Sequence, residues 1–201
     1  MDACFVDVTV EFLAVAFHSI LYYASIYPRV IFETRKKYSV VVYRCLHPDV
    51  NLYIDRCLKS IAEALKTDEL HRVEFAVTDM SFTPGIKFVF DFERMAAYDD
   101  TADAYLVRCE QNLRAFCLLL ASVSQKFNGF PADSSFGIYL YTNESIEVAL
   151  ASMPHLEDFP LIEAEEEVEE MDNIMPLRRF SIRNYSIDTY IELPKPWTFC
   201  S

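Results

Sequence analysis

The side chains best able to do chemistry in this chain are four histidines and thirty-one carboxylates. His18, His47, His71 and His155 are far apart and include no HExxH pair, the spacing that puts two zinc ligands on one helix face. His18 lies within an apolar helix pattern and is expected to be a hydrogen-bonded core residue. The carboxylates between Glu163 and Glu170 are too dense to act as a separated acid and base, and they favour a solvated loop over a divalent-ion site. The sequence therefore predicts no metal site and requires no cofactor.

The glycines exclude the common nucleotide-binding sites. Only three are present, Gly85, Gly129 and Gly137, and none lies in GxGxxG or GxxxxGK[ST]. Both motifs need glycine because the backbone must approach phosphate groups closely. Spacing does not exclude a Ser/His/Asp or Cys/His set, since such residues converge in space from distant parts of a chain. A small enzyme with an unrecognised site therefore stays open as one interpretation, although no nucleophile motif is present.

The net charge of −13 is concentrated in one block of the chain. Residues 127–177 contain twelve Asp or Glu and neither Lys nor Arg. Nucleic-acid affinity depends on clustered Lys and Arg that neutralise phosphates. The basic triplet at residues 35–37 is more typical of a solvated turn than of a DNA-binding patch. We expect no direct nucleic-acid contact, so a role connected with DNA would act through a protein partner.

The cysteines and the N-terminal residues indicate a soluble protein in a reducing compartment. Six cysteines are scattered without a CxxC pair, which is typical of reduced core thiols in a cytosolic or nuclear protein. Asp2, Asp7 and Glu11 stand where a secretory signal has basic residues. The apolar run at residues 12–27 is short for a membrane span and contains polar side chains. We expect neither a signal peptide nor a membrane.

The first elements are predicted to be a helix and a hairpin. Residues 5–27 repeat apolar side chains at helical spacing, and Pro28 is expected to end this helix because the residue before a proline avoids the α region. Residues 30–44 contain two β-branched runs around the charged residues 34–37. This pattern predicts a hairpin with a charged tip.

A second helix is predicted to begin at Pro48, because proline at the first helical position loses no hydrogen bond. Asp49 favours the positive end of the helix. The core stripe of this helix comprises Ile54, Leu58, Ile61 and Leu65. Tyr53 lies beside that stripe, where it would border a groove.

The remaining elements complete an α+β pattern. Residues 72–78 and 86–92 alternate as two antiparallel strands with one aromatic face. Residues 101–124 form a helix whose wide apolar stripe predicts a place at the centre, under the sheet. A strand at 136–142 and a short helix at 144–153 follow. The order predicts helices on one face of an antiparallel sheet, which could accept an extended peptide at a free edge.

Residues 154–194 are unusual for the tail of a small globular protein. An apolar start is followed by the acidic run and then by short β-like segments. Charge runs are typical of solvated chain, whereas the later apolar residues can return to the core. We interpret the acidic run as a mobile segment between two anchored ones that closes over the preceding platform.

Several strings resemble the accessory HORMA-domain subunit of translesion DNA polymerase zeta, the mitotic-arrest-deficient-2-like protein B family. They are ILYYASIYPRVIFETRKKYSVVVYRCLHPDVNLYI, KFVFDF, EQNLRAF and EDFPLI, in the family's order. The resemblance covers roughly residues 5–194. It implies a single HORMA domain over residues 1–201, with three helices on an antiparallel sheet, a core of about 1–153 and a mobile C-terminal seatbelt of about 154–194.

The resemblance also implies a function and partners. It implies a non-catalytic adaptor in DNA damage tolerance and repair that clamps a proline-containing peptide of the polymerase zeta catalytic subunit. A surface of the closed seatbelt would dock the translesion scaffold polymerase. The resemblance further implies a homodimer face and a hexameric AAA+ ATPase that opens the seatbelt. The location implied is nuclear, and also cytoplasmic. The alternatives are HORMA adaptors of the spindle checkpoint, the meiotic axis or double-strand-break end protection.

The resemblance implies a peptide pocket that four residues of this chain border. Tyr53 matches the family's pocket tyrosine. Phe159, Pro160 and Leu161 are expected to border the same pocket, and Leu161 stands where vertebrate members have tryptophan. The resemblance therefore implies a pocket made by the second helix and the seatbelt.

Two other surfaces of the family correspond to positions in this sequence. Ile174, Asp188 and Tyr190 fall where the family contacts the scaffold polymerase, and Asp188 stands where an amide is usual. Arg114 matches an arginine of the family's homodimer face, and a solvated helix residue is the alternative interpretation. A strand tyrosine packed on the core is the alternative for Tyr190.

Overall fold

The computed structural model describes residues 3–79, 84–95, 102–124, 130, 133–142, 173–182 and 185–193. The helices are α1 (Ala3–Tyr23), α2 (Pro48–Lys66) and α3 (Ala102–Val123), and a 3₁₀ turn covers Arg29–Ile31. The strands are β1 (Phe32–Lys37), β2 (Val40–Cys45), β3 (Leu70–Thr78), β4 (Pro84–Arg94), β5 (Ser135–Thr142), β6 (Asn173–Ile182) and β7 (Tyr185–Leu193). The predicted short helix at 144–153 and the acidic run lie outside the described residues.

Five strands form one antiparallel sheet in the order β5-β3-β4-β7-β6, while β1 and β2 form a separate hairpin. β3 and β4 pair as predicted, with Phe75 opposite Phe88 and Val77 opposite Ile86. These four side chains are buried, because alternation places them together on the face that the helices cover. The α+β architecture is therefore confirmed. Its strand order puts β5 and β6 at opposite edges of the sheet.

The central helix of the core is α1. Phe12 is completely buried, and its ring lies 4.8 Å from that of Phe116 in α3, 5.4 Å from that of Phe180 in β6 and 6.0 Å from that of Phe90 in β4. Edge-to-face contacts of this kind add to the free energy gained by burying the rings. One side chain of α1 therefore joins the third helix, the sheet and the C-terminal hairpin.

The prediction that α3 sits at the centre is wrong. Its side chains Cys109, Leu113 and Phe116 are buried, but Val107 is 59% exposed and Leu118 is 52% exposed. The wide apolar stripe of α3 is thus only partly covered, because α1 already fills the centre of the helical layer. Within the part of the chain that the structure describes, no element packs over Val107 and Leu118.

Two predicted boundaries also differ from the structure. α1 ends at Tyr23 rather than at residue 27, because Ser25 adopts a left-handed backbone with φ 55°. Pro28 instead precedes the 3₁₀ turn. The turn of the first hairpin is Tyr38–Ser39, where φ is 49° and 59°, as a two-residue primed turn requires. The basic triplet therefore lies on β1 and not at the tip of the hairpin.

By length and composition α1 could cross a membrane, but 61% of its most apolar window is buried inside the fold. Its neighbours are α2, β2 and α3. This is the environment of a core helix, in agreement with the helical pattern of residues 5–23.

Candidate functional site

β5 forms an open edge of the five-stranded sheet. It pairs with β3 from Ser135 to Thr142, and no described strand pairs with its other side. The N–H of Ile138 points away from β3, because it donates a hydrogen bond to the Tyr53 hydroxyl at 3.2 Å. Backbone groups of an antiparallel strand alternate in direction, so those of Phe136 and Leu140 point the same way. The edge therefore presents a row of main-chain donors and acceptors.

An apolar shelf lies along this edge and consists of Tyr27, Tyr53, Phe136, Ile138 and Leu140. All five side chains pack against the core but remain partly exposed. The Tyr53 ring lies edge-to-face with that of Phe136 at 5.4 Å, and the Tyr27 ring lies 6.4 Å from the same phenyl group. We call these five residues the edge shelf. The outward-pointing backbone groups of β5, of which the Ile138 N–H bonds Tyr53, lie beside these apolar side chains. This combination is the chemistry that an added peptide strand needs.

α2 positions Tyr53 over the edge. The next residue, Ile54, is fully buried, so the helix is fixed at this point and the tyrosine projects toward β5. Burial raises the pKa of Tyr53 above its ordinary value, so its hydroxyl is neutral. A hydrogen bond also joins that hydroxyl to the Cys57 thiol. Burial raises the pKa of this thiol to about 11. Cys57 is therefore a protonated core thiol at neutral pH.

The opposite edge of the sheet is less suited to pair with another strand. β6 contains Pro176, which has no N–H, and its register shifts between Pro176 and Arg178. Proline and bulges interrupt the row of donors that strand pairing needs. By contrast, β5 contains no proline, and its pairing with β3 is regular from Arg72–Tyr141 to Thr78–Ser135.

The residues matched to the scaffold-polymerase surface lie together on the sheet face away from the helices. Ile174 is opposite Glu192, and Asp188 and Tyr190 lie four and two residues before Glu192 on β7. Cross-strand partners and alternate residues share a face, so Ile174, Asp188 and Tyr190 point to the same side. Ile174 is 61% exposed. The structure thus brings these three residues to one outer face.

Tyr190 is held on the outer face by residues of two other strands. Arg72 donates a hydrogen bond to its hydroxyl at 2.9 Å, and that hydroxyl donates to the Asp91 carboxylate at 2.9 Å. Arg72 and Asp91 also form an ion pair at 2.6 Å. Burial and the bond to Asp91 raise the pKa of Tyr190, which keeps it neutral. The three side chains tie β7 of the C-terminal hairpin to β3 and β4 of the core.

Replacing Tyr190 by phenylalanine is expected to lower the free energy of unfolding by about 1 kcal/mol, because both hydrogen bonds of the hydroxyl are lost. Urea denaturation measures this change. The matched control is Tyr139→Phe on β5, which should change the free energy of unfolding by less than about 0.5 kcal/mol. Equal effects of the two variants would contradict a specific bond network at Tyr190.

Arg114 lies on the exposed side of α3. Val107, Gln111 and Leu118 follow the same helical stripe, since they are spaced by four, three and four residues around it. Arg114 is exposed, and the two apolar members of the stripe are more than half exposed. The stripe therefore presents two exposed apolar side chains with one cation between them.

The other predicted site residues, Phe159, Pro160 and Leu161, lie outside the described residues. Within the described part of the chain, no group of three or more His, Cys, Asp or Glu could hold a metal ion. His18 accepts a hydrogen bond from the Cys45 N–H at 3.4 Å, and burial lowers the pKa of His18 to about 4. His18 is thus the neutral, hydrogen-bonded core residue that its position predicts.

Sequence reasoning identified Tyr53 but missed Ile138, Arg72 and Asp91. Alternation in residues 72–78 places Arg72 on the polar face of its strand, which was a usable signal for an outer-face contact. The role of Ile138 depends on which strand lies at the edge of the sheet. Local periodicity does not predict the order of the strands.

Comparison with known proteins identifies the class of the fold. A family model described as "HORMA domain" matches residues 6–103. Among solved structures, a chain of the "Crystal Structure of Mitotic Checkpoint Complex" superimposes with a TM-score of 0.74 at 17% identity, covering 94% of each chain. The "Structure of C. elegans HTP-2 bound to HIM-3 closure motif, P21 form" gives a TM-score of 0.66 at 9% identity, with 94% and 89% covered. At these identities the likeness concerns the fold alone.

Sequence relatives define the family more narrowly. The chain is 31% identical over 188 residues to "Mitotic spindle assembly checkpoint protein MAD2B" of Homo sapiens, covering 92% of this chain and 89% of that protein. It is 25% identical to "DNA polymerase zeta subunit 2" of Drosophila melanogaster, with 92% and 96% covered. The chain belongs to the HORMA-domain family, among the relatives named MAD2B and DNA polymerase zeta subunit 2.

Proposed function

We propose that this chain is the non-catalytic adaptor subunit of DNA polymerase zeta, which binds a proline-containing peptide of the catalytic subunit as an added strand on β5. The observation that carries the proposal is the regular open edge of β5 beside the edge shelf. A peptide strand would form main-chain hydrogen bonds with Leu140 and its neighbours. Pockets between the shelf side chains would select the peptide's own side chains.

The sheet order supports a clamp around such a peptide. Residues 143–172 must connect Thr142 at the β5 edge with Asn173 at the β6 edge. Four strand spacings separate these edges by about 19 Å, and a chain of this length can span up to about 100 Å. The connection therefore has enough length to pass around a bound strand. It contains Phe159, Pro160 and Leu161, which in this proposal border the peptide pocket opposite Tyr53.

The outer face of β6 and β7 supplies a second surface. Ile174 is exposed, and Tyr190 is held in place by Arg72 and Asp91. In the proposal this face docks the translesion scaffold polymerase, so that one chain bridges two partners. In the proposal the protein acts in the nucleus, where DNA damage tolerance takes place, and is also present in the cytoplasm. A hexameric ATPase that detaches the C-terminal hairpin would release the peptide.

In the proposal the chain also forms a homodimer through α3, which the exposed side chains of the Arg114 stripe support. Leu118→Asp is expected to raise the dimer dissociation constant more than about tenfold, because a carboxylate replaces an apolar contact at the interface. Sedimentation velocity over a concentration series measures this. Leu119→Asp, beside the stripe and 36% exposed, is the control. A chain that stays monomeric at every concentration would contradict the homodimer.

A second candidate is a spindle-checkpoint adaptor, because curated relatives carry that name. The two candidates differ in the partner that is retained. Affinity purification of the intact chain should recover the polymerase catalytic subunit if the proposal is correct. Recovery of kinetochore proteins without a polymerase would favour the checkpoint candidate.

The direct test uses synthetic peptides from the polymerase zeta catalytic subunit and limited proteolysis. A cognate peptide should slow cleavage within residues 143–172, because a strand bound under the connection restricts its access to the protease. Cleavage at equal rates with and without every candidate peptide would refute the clamp. A scrambled peptide of the same composition is the control.

A further inference from the structure

We propose that Tyr53 is a register stop on the β5 edge: its hydroxyl keeps the N–H of Ile138 while a peptide is bound, so the added strand pairs with β5 only from Leu140 toward Thr142. This inference rests on the proposed function and specifies how the peptide is aligned. It concerns one hydrogen bond, from the Ile138 N–H to the Tyr53 oxygen at 3.2 Å.

The bond occupies the central donor of an edge that no other described strand pairs with. Phe136, Ile138 and Leu140 are the residues whose N–H groups point outward along the regular part of β5. Of these three donors, the structure assigns the Ile138 N–H to Tyr53. A peptide that reached this point would find no N–H for its own carbonyl group. The ladder between peptide and β5 would therefore be interrupted at Ile138.

The ring of Tyr53 covers the N-terminal half of the β5 edge. It lies against Phe136 at 5.4 Å, so the side chain covers the stretch from Phe136 to Ile138. Tyr27 packs on the same phenyl group from α1's end of the core and supports this arrangement. The open stretch is thus the C-terminal half of β5, next to Leu140. Register in a sheet must be specified, since a one-residue slip exchanges the two faces of the added strand.

The hydrogen bond between Tyr53 and Ile138 has a second effect in the free protein. An exposed edge strand can pair with another copy or with an unrelated strand. Removing the central donor from the edge shortens the stretch available for such pairing. Tyr53 in this way favours a short, correctly aligned peptide over a long one.

The test compares Tyr53→Phe with the matched control Tyr27→Phe, which removes a hydroxyl from the same aromatic cluster. Amide hydrogen exchange of the free protein, read by NMR, should show exchange at Ile138 about fivefold faster in Tyr53→Phe. Tyr27→Phe should leave the Ile138 rate unchanged. An unchanged exchange rate at Ile138 in Tyr53→Phe would overturn the register stop.

The second measurement maps contacts between β5 and a synthetic peptide from the polymerase zeta catalytic subunit. Cross-strand NMR contacts should stop at Leu140 in the wild type and extend to Ile138 in Tyr53→Phe. Contacts with Ile138 in the wild-type complex would overturn the register stop and leave strand addition intact. Failure of every such peptide to bind the wild type would overturn the proposed function, and the register stop with it.

Discussion

Replacing Leu140 by proline is expected to weaken binding of the partner peptide about a hundredfold while the fold is retained. The N–H of Leu140 points away from β3, so its loss breaks no hydrogen bond within the sheet. Proline is tolerated on an edge strand for this reason. Its ring, however, occupies the space of the added strand, and the donor that the strand would use is gone.

Titration calorimetry with the cognate peptide measures the change in affinity. Leu140→Ala is the matched control, since it keeps the N–H and removes only the shelf side chain. It should cost no more than about tenfold in affinity. The thermal midpoint of Leu140→Pro should stay within a few degrees of the wild type. Equal affinities of the two variants would show that the main chain of β5 does not bind the peptide.

Replacing Phe12 by alanine is expected to lower the free energy of unfolding by about 4 kcal/mol. The phenyl group is fully buried and contacts rings from α3, β4 and β6, so its removal leaves a cavity at the point where these elements meet. Because one of those rings is Phe180, the C-terminal hairpin loses part of its anchor as well. We expect a single cooperative transition at lower denaturant concentration.

Urea denaturation followed by circular dichroism measures the Phe12→Ala effect. Val30→Ala is the control, since Val30 is 85% exposed and should change the free energy of unfolding by less than about 0.5 kcal/mol. A loss below about 1 kcal/mol for Phe12→Ala would contradict α1 as the centre of the core.

Local chemistry predicted most of the elements. α2 begins at Pro48 because proline fits the first helical turn, and the residues of its predicted stripe are buried. The β3–β4 hairpin was readable from alternation, since Val73, Phe75 and Val77 recur at every second position and all three are buried. Periodicity indicates which face of an element is apolar, and the apolar faces of α2 and β3 are both buried in the core.

Periodicity could not rank the helices by burial. α3 has a wide apolar stripe, yet Val107 and Leu118 face solvent because α1 occupies the centre. Left-handed backbone at Ser25, Tyr38 and Ser39 moved a helix end and a turn, and none of these residues is the glycine that signals such a conformation. These features depend on tertiary packing, which overrides local preference.

The candidate site was predictable only in part. Tyr53 was identified from its place beside the α2 stripe and from the family resemblance. The hydrogen bond to Ile138 and the bonds of Tyr190 to Arg72 and Asp91 join residues 85 to 118 positions apart, so no local pattern reveals them. They exist because the strand order puts β5 at one edge and β7 beside β4.

The most direct test of the account is amide hydrogen exchange of the chain with and without the cognate peptide of the polymerase zeta catalytic subunit. Strand addition on β5 predicts a large gain of protection at Leu140, because its outward N–H becomes hydrogen-bonded to the peptide. The edge of β6 should show no comparable gain. Protection gained along β6 or on α3, with exchange at Leu140 unchanged, would contradict the account.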